Sequence, residues 1–452
     1  MGRKSRSLCA AAAATGVLGL VLALPAHNNQ ECFTSESVAW FTFPRAARQR
    51  ARVSQVGHKT AREVQSDSAA FFFSRYSATR TFESILAGTP RLSVLAGPPS
   101  CGKSRFIAGV MHEWQHPQGF IYINLRGVDL TSTQALTDTL LRAARESWPR
   151  RMLRKFRRAK RKGRVKWLRS SRKLEASNGR SLPLRELQDV LRTLGQMLSK
   201  KPFRNWWGGT KMQPVLCFDE AHLLHQELVA AKPDSSDTRS AYEILMRWIV
   251  RNTKEERNFH VLMVSSAPRF ASELYKHPQA QVKPLVLGDL DKADASQFWK
   301  RCGGEKVKFD DAFAAVGGHM HHLESLAEAP DYDFELQSIQ ASLNYVATDF
   351  LTKHGKHAVL AIEFILSNGG MVPKRELLQK LQENGYPLLK EAAEKLEEMI
   401  DDNGFQERIV QGLSSDLPAA ARDMELPIVM APCRAVRKLW EVNLESWKTL
   451  VE

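Results

Sequence analysis

The stretch that most constrains this chain is Gly97-Pro98-Pro99-Ser100-Cys101-Gly102-Lys103-Ser104, which fits G-x-x-x-x-G-K-[ST] at every position. "RLSVLA" before it reads as a short buried strand, and "SRFIAGVMHEW" after it has helical spacing. A strand that feeds a glycine loop opening a helix belongs to a parallel, helix-covered sheet. This context disfavours a chance match.

Such a loop has a definite chemistry. Backbone N–H groups and the helix N-terminus cradle phosphate. Gly102 lets the backbone come close to the anion. Lys103 would reach the β- and γ-phosphates, and the Ser104 hydroxyl would ligate Mg2+. Residues Gly97 to Ser104, with Arg105, are therefore the candidate ATP-binding set.

About a hundred residues on, "PVLCFDEAHLL" (214–224) is an apolar strand ending in Asp219-Glu220. Asp219 would hold Mg2+ through water as the partner of Ser104. Glu220 would orient and deprotonate the attacking water. The four apolar residues Val215 to Phe218 argue against a merely exposed acidic strand end. A third strand, "HVLMVSSAP" (260–268), ends in Ser265 and Ser266, which could sense the γ-phosphate or hold the lytic water; plain turn residues are an equally good reading. "GFIYINLRG" (119–127) and "VKPLVLGDL" (282–290) supply two more strands, so the expected core is a parallel sheet with helices on both faces.

These residues together resemble the archaeal-type ATPase family, within the AAA+/STAND group of P-loop proteins. The resemblance covers about 80–450 and rests on GPPSCGKS, "FIYINLR", "VLCFDEAHLL", "VLMVSSAP", "LVLGDLDKADASQFW" and "VGGHMHHLESLA". In the last, Gly317 and Gly318 match the family's Gly-Gly-x-Pro-x-x-Leu lid segment, while Met320 stands where the family usually has Pro. The resemblance implies an ASCE/AAA+-like core, a small helical lid and a C-terminal α+β winged helix. No Arg lies between 271 and 285, and none in the lid segment 317–325. Hydrolysis in trans within a ring is therefore not favoured, and a slow, switch-like ATPase fits better.

Net charge is +16, and its placement matters more than its size. Residues 150–173 hold fourteen Lys or Arg and no acid, and residues 1–62 carry +7, so the rest of the chain carries −5. The segment 150–173 reads as an insertion in the core that would clamp a nucleic-acid backbone or dock on an anionic membrane surface; a solvated loop is the bland alternative. A second patch, "KKPFRNWWGGTK" (200–211), sets Trp206 and Trp207 among four cations, suited to base stacking or to burial. Six cysteines without a CxxC pair argue against a disulfide framework or a structural zinc site.

The N-terminal end has its own logic. Arg3, Lys4 and Arg6 precede twenty uncharged residues, 7–26, the layout of a secretory signal or of a membrane anchor. From Ser37 to Arg62 there are six cations and no acid, which suits a transit peptide. Together they resemble the bipartite leader of plastids with extra membranes; a mitochondrial presequence and a membrane-anchored protein are the alternatives.

From about 346 the pattern turns helical, with two short strands and a closing helix after it. Its third helix carries Glu391, Glu394, Glu397, Glu398, Asp401 and Asp402 against Lys390 and Lys395. That acidic face suits packing or protein docking better than a DNA groove. The expected layout is 1–26 signal or anchor, 27–75 leader, 76–300 ATPase core, 301–345 lid and 346–452 winged-helix-like domain. The expected function is an ATP-binding and ATP-hydrolysing switch acting on a macromolecule. An organelle nucleic-acid-binding protein, or a STAND-type scaffold using nucleotide as a structural ligand, is the runner-up.

Overall fold

The computed structural model describes residues 75–113, 120–147, 182–199, 213–230, 236–267, 270, 273–274, 281–304, 307–386, 388–408 and 427–451. The leader, the basic segment 150–173 and the patch 200–211 lie outside the described residues.

The core runs as α1 (Tyr76–Ala87), β1 (Leu92–Ala96), α2 (Lys103–Glu113), β2 (Phe120–Asn124), α3 (Thr133–Ser147), α4 (Leu182–Leu198), β3 (Val215–Asp219), a short α5 (His222–His225), α6 (Ser236–Val250), β4 (His260–Ser265) and β5 (Val282–Val286). The five strands form one parallel sheet in the order β2-β3-β4-β1-β5. β4 thus separates the strand of the glycine loop from the strand that ends in Asp219. The register pairs Asn124 with Asp219, Asp219 with Val264, and Ala96 with both Ser265 and Val286. All the candidate groups at strand ends therefore meet at one carboxyl edge, where open α/β sheets bind ligands.

Side chains alternate across the sheet with period two. Leu92, Val94, Ile121, Ile123, Leu216, Phe218, Val261 and Met263 pack on one face with α3, α4 and α6. Leu95, Phe120, Tyr122, Cys217, Leu262 and Val264 pack on the other with α1 and α2. Burial on both faces explains why these strands are near-continuous apolar runs.

After β5 come three short helices, α7 (Lys292–Arg301), α8 (Phe309–Val316) and α9 (Met320–Glu328). Asp291 caps α7, accepting from the Asp294 N–H at 2.8 Å. Gly318 joins this unit to the core: its carbonyl accepts from Leu290 N at 2.9 Å, and a Cβ there would lie 1.8 Å from the Leu290 oxygen. Only glycine fits so close a backbone crossing.

α10 (Tyr332–Ser367) comprises two helical arms joined by a kink at Gly355 (φ 55°, ψ −138°), and its first arm spans the expected boundary at 345/346. β6 (Met371–Pro373), α11 (Lys374–Glu383), α12 (Leu389–Asp401), β7 (Gln406–Arg408), β8 (Ile428–Met430) and α13 (Arg434–Val451) follow. Their strands form a separate antiparallel sheet, ordered β6-β8-β7. A second core, with Ile362, Leu377, Leu396, Phe405 and Trp440 at its centre, holds this unit together. Among the described residues no helix is long and apolar enough to cross a membrane.

Candidate functional site

β1 ends at Ala96, and the loop Gly97–Gly102 turns the chain into α2, whose first residue is Lys103. The first-turn N–H groups of α2 have no intrahelical acceptor, so they face the loop. Gly102 takes φ +91°, and a Cβ there would sit 2.4 Å from the Met320 sulfur. Ser100 also has a left-handed φ of 58°. Lys103 is 6% exposed, and its Nζ donates to the carbonyls of Gly97 (3.0 Å) and Pro98 (2.8 Å). The cation is thus held over the hollow of the loop by its own backbone. Ser104 and Arg105 are half-buried in the first turn. Cys101 is buried, and its thiol lies 3.3 Å from the Leu287 carbonyl.

Across the sheet edge, Asp219 is buried and accepts from the Tyr122 hydroxyl and, at 3.1 Å, from the Glu220 N–H. Burial, then the Asp219 charge, pushes the Tyr122 hydroxyl well above its usual range, so it stays a donor. Glu220 sits in the left-handed region (φ 56°) directly after the strand. A non-glycine residue there carries backbone strain of about 1 kcal/mol or more. The turn aims its carboxylate at Arg126, with which Oε1 pairs, while Oε2 lies 3.6 Å from His222 Nδ1. His222 Nδ1 is in turn 3.3 Å from Ser265 Oγ, which accepts from the Ala267 N–H at 3.0 Å. Burial lowers the His222 pKa against the pull of Glu220, so the ring is neutral at pH 7. Ser266 is half-buried just beyond the strand.

Asp219, Glu220, Ser265 and the loop 97–105 are therefore brought to one edge. Arg126, Arg75 and His319 join them, and Arg105 of that set gains a partner. Arg126 lies two residues beyond β2, placed by the pairing of Asn124 with Asp219; its backbone N–H donates to Asn124 Oδ1 at 2.9 Å. Arg75 is 2% exposed and donates to the carbonyls of Gly288 (2.7 Å) and Cys101, with Met320 Sδ at 3.2 Å. His319 Nε2 is 3.2 Å from the Pro99 carbonyl, and burial lowers its pKa to about 4. Arg105 pairs with Glu324 of α9 at 2.8 Å. The last three tie the loop to α9 and the segment before it. The absence of Arg from 271–285 and 317–325 thus leaves Arg75 and Arg126 to approach the edge from other elements.

The donor set fits the groups the loop would take. Ser104 and Asp219 offer hard oxygens, the kind Mg2+ prefers. Lys103 and the N–H groups of α2 offer donors and positive potential for phosphate.

A family model for an ATPase domain found predominantly in Archaea matches residues 72–326. No curated protein matches the chain. Among solved structures, the Walker-type ATPase of Pyrococcus abyssi is similar over 82% of this chain and 96% of its own, at 17% identity and a TM-score of 0.47. Cdc6p from Pyrobaculum aerophilum is similar over 83% of this chain and 93% of its own, at 11% identity and a TM-score of 0.31. Drosophila ORC bound to DNA is similar over 88% of this chain and 100% of its own, at 11% identity and a TM-score of 0.33.

Proposed function

Because the chain belongs to the family of ATPase domains found predominantly in Archaea, we propose that the carboxyl edge of its sheet binds ATP with Mg2+ and hydrolyses it slowly. The single observation that carries this reading is that Lys103, held over its own loop, lies at the same carboxyl edge of the sheet as Asp219 and Glu220, which stand at the end of a strand two places away. In this reading Lys103 exchanges the carbonyls of Gly97 and Pro98 for phosphate oxygens. Ser104 and Asp219 would hold Mg2+, which when bound neutralises phosphate charge. Glu220 takes the proton of the attacking water, and Ser265, with His222 beside it, positions that water. Ser266 stands one residue further and serves as a turn residue.

Glu220 is engaged by Arg126, which favours a restrained, switch-like turnover. The ties from the loop to α9 through Arg75, Arg105 and His319 give nucleotide a physical path to the lid. We read β6 to α13 as a winged helix whose α12 serves protein docking. Lys390–Glu394 and Lys395–Glu398 pairs line that helix, and its acids outnumber its lysines. The segment 150–173 is the proposed contact for nucleic acid, and the leader the proposed address to a plastid.

Lys103→Ala should abolish ATP binding measured by calorimetry; retained affinity would remove Lys103 from the site. Glu220→Gln should keep ATP binding while turnover falls by about a hundredfold or more, the usual range for a lost general base. Unchanged hydrolysis in that variant would refute its role.

A further inference from the structure

A cavity of about 640 Å³ lies away from the nucleotide loop, where the segment after β5, the lid and the C-terminal unit meet. Its size falls within the roughly 300–1,000 Å³ of small-molecule sites. One wall is the small antiparallel sheet: Gln406 and Arg408 are two residues apart on β7 and so share a face. A second wall is the start of α13, with Arg434, Arg437 and Lys438. A third includes Gly318.

The lining is chemically biased. Five of its side chains are cationic and three are carboxylates. Some of these charges are engaged on both sides of the count: Asp291 caps α7, Glu441 pairs with Arg437 at 2.9 Å, and Lys292 pairs with Asp310 at 2.7 Å. The N-terminus of an 18-residue helix, with no acid in its first turn, adds positive potential. Arg408 is 1% exposed, so its guanidinium charge lies in the low-dielectric wall rather than in water. A separate observation points to a ligand as well. Gln406 is 9% exposed, and its carboxamide oxygen is buried without a hydrogen-bond partner. Such an acceptor costs roughly 1–3 kcal/mol unless a donor meets it.

We propose that this cavity binds a small phosphorylated molecule that also bears a hydroxyl group. The phosphate meets Arg408, Arg437 and Lys438 at the start of α13. The hydroxyl donates to Gln406 Oε1. Such a ligand bridges the C-terminal unit to Gly318, the residue before His319, and so sits one residue from a group that contacts the nucleotide loop. The inference stands on the cavity alone and not on the nucleotide site.

The test uses the full chain carrying Lys103→Ala, which removes phosphate binding at the loop, and ribose 5-phosphate as the probe in titration calorimetry. Saturable one-site binding is expected, weakened about tenfold by Lys438→Ala, the loss of one charge-assisted contact. Gln406→Leu should weaken ribose 5-phosphate binding and leave inorganic phosphate unaffected, and unphosphorylated ribose should not bind. No saturable binding at about 10 mM, or binding unchanged in both variants, overturns the proposal. Inorganic phosphate binding as tightly as the sugar phosphate overturns the hydroxyl contact. Lys438 lies half-exposed on α13, so its variant keeps the test valid if Gln406→Leu melts early.

Discussion

Glu220 is held in place by two different effects. Its left-handed backbone is set by the turn after β3, and its carboxylate by Arg126. The Arg126 side chain is 72% exposed, so solvent screens the pair. The Glu220 side chain itself is 11% exposed, so the pair is screened from one side only; at about 1 kcal/mol it restrains Glu220 by roughly fivefold in rate. Arg126→Gln should therefore raise single-turnover ATP hydrolysis about two- to fivefold with ATP affinity unchanged. A fall in rate would instead place Arg126 among the groups that stabilise the reacting phosphate. Lys103, Asp219 and Glu220 are legible in the sequence because the motifs that contain them are contiguous and each sits at the end of an apolar run. Arg126, Tyr122 and Arg75 are not, because their nearness arises from strand register and from the approach of α1 to the loop. One signal could have found Arg126: it lies two residues past the end of β2, the strand that the order places beside β3. His222 stands inside the quoted acidic motif, yet only the parallel alignment of β3 with β4 brings it to Ser265.

The elements of the core follow from period and length, and their limits follow from pairing. Within "GFIYINLRG", β2 (Phe120–Asn124) pairs with β3 residue for residue, and the chain leaves the strand at Leu125 where that pairing ends. The long α10 is less legible: Gly355 kinks it into two helical arms, and the first arm runs on from α9 towards the C-terminal unit. The joint between lid and core is a sharper feature, since Gly317-Gly318 is readable as a motif but its reason is a backbone contact. Gly318→Ala would drive a Cβ into the Leu290 carbonyl at 1.8 Å, where neither atom belongs to a flexible side chain. We expect a loss of ~2–3 kcal/mol, the upper range for overpacking. Gly303→Ala makes the contrast: its φ is +78° but open space surrounds it, so only backbone strain of ~1 kcal/mol applies. Chemical denaturation of the two variants measures the difference. Equal losses would mean that the Gly318–Leu290 crossing relaxes freely and is no rigid joint.

On the scale of the whole molecule, charge is segregated rather than spread. The chain carries +16, yet fourteen cations fall in 150–173 and a net +7 in residues 1–62, leaving −5 elsewhere. The C-terminal unit adds to the acidic side through α12 and through Asp402 just beyond it, which Lys353 and His354 of α10 contact. A polyanion is therefore repelled by that face and attracted by the basic segment, which holds the largest share of the cations, so most of the binding should track the segment. Counterion release makes this measurable: if about five phosphates are neutralised, log affinity for duplex DNA should fall with log salt at a slope of about −4.5. Deleting 150–173 should flatten that slope to about −1 or less, while ATP affinity and basal turnover persist, because α3 and α4 keep their own core contacts. Duplex DNA, single-stranded RNA and acidic vesicles, each titrated at two or more salt concentrations, separate the partners. A slope unchanged by the deletion would show that the cations of 150–173 are solvated charge, and that the contact with polyanions lies elsewhere in the chain.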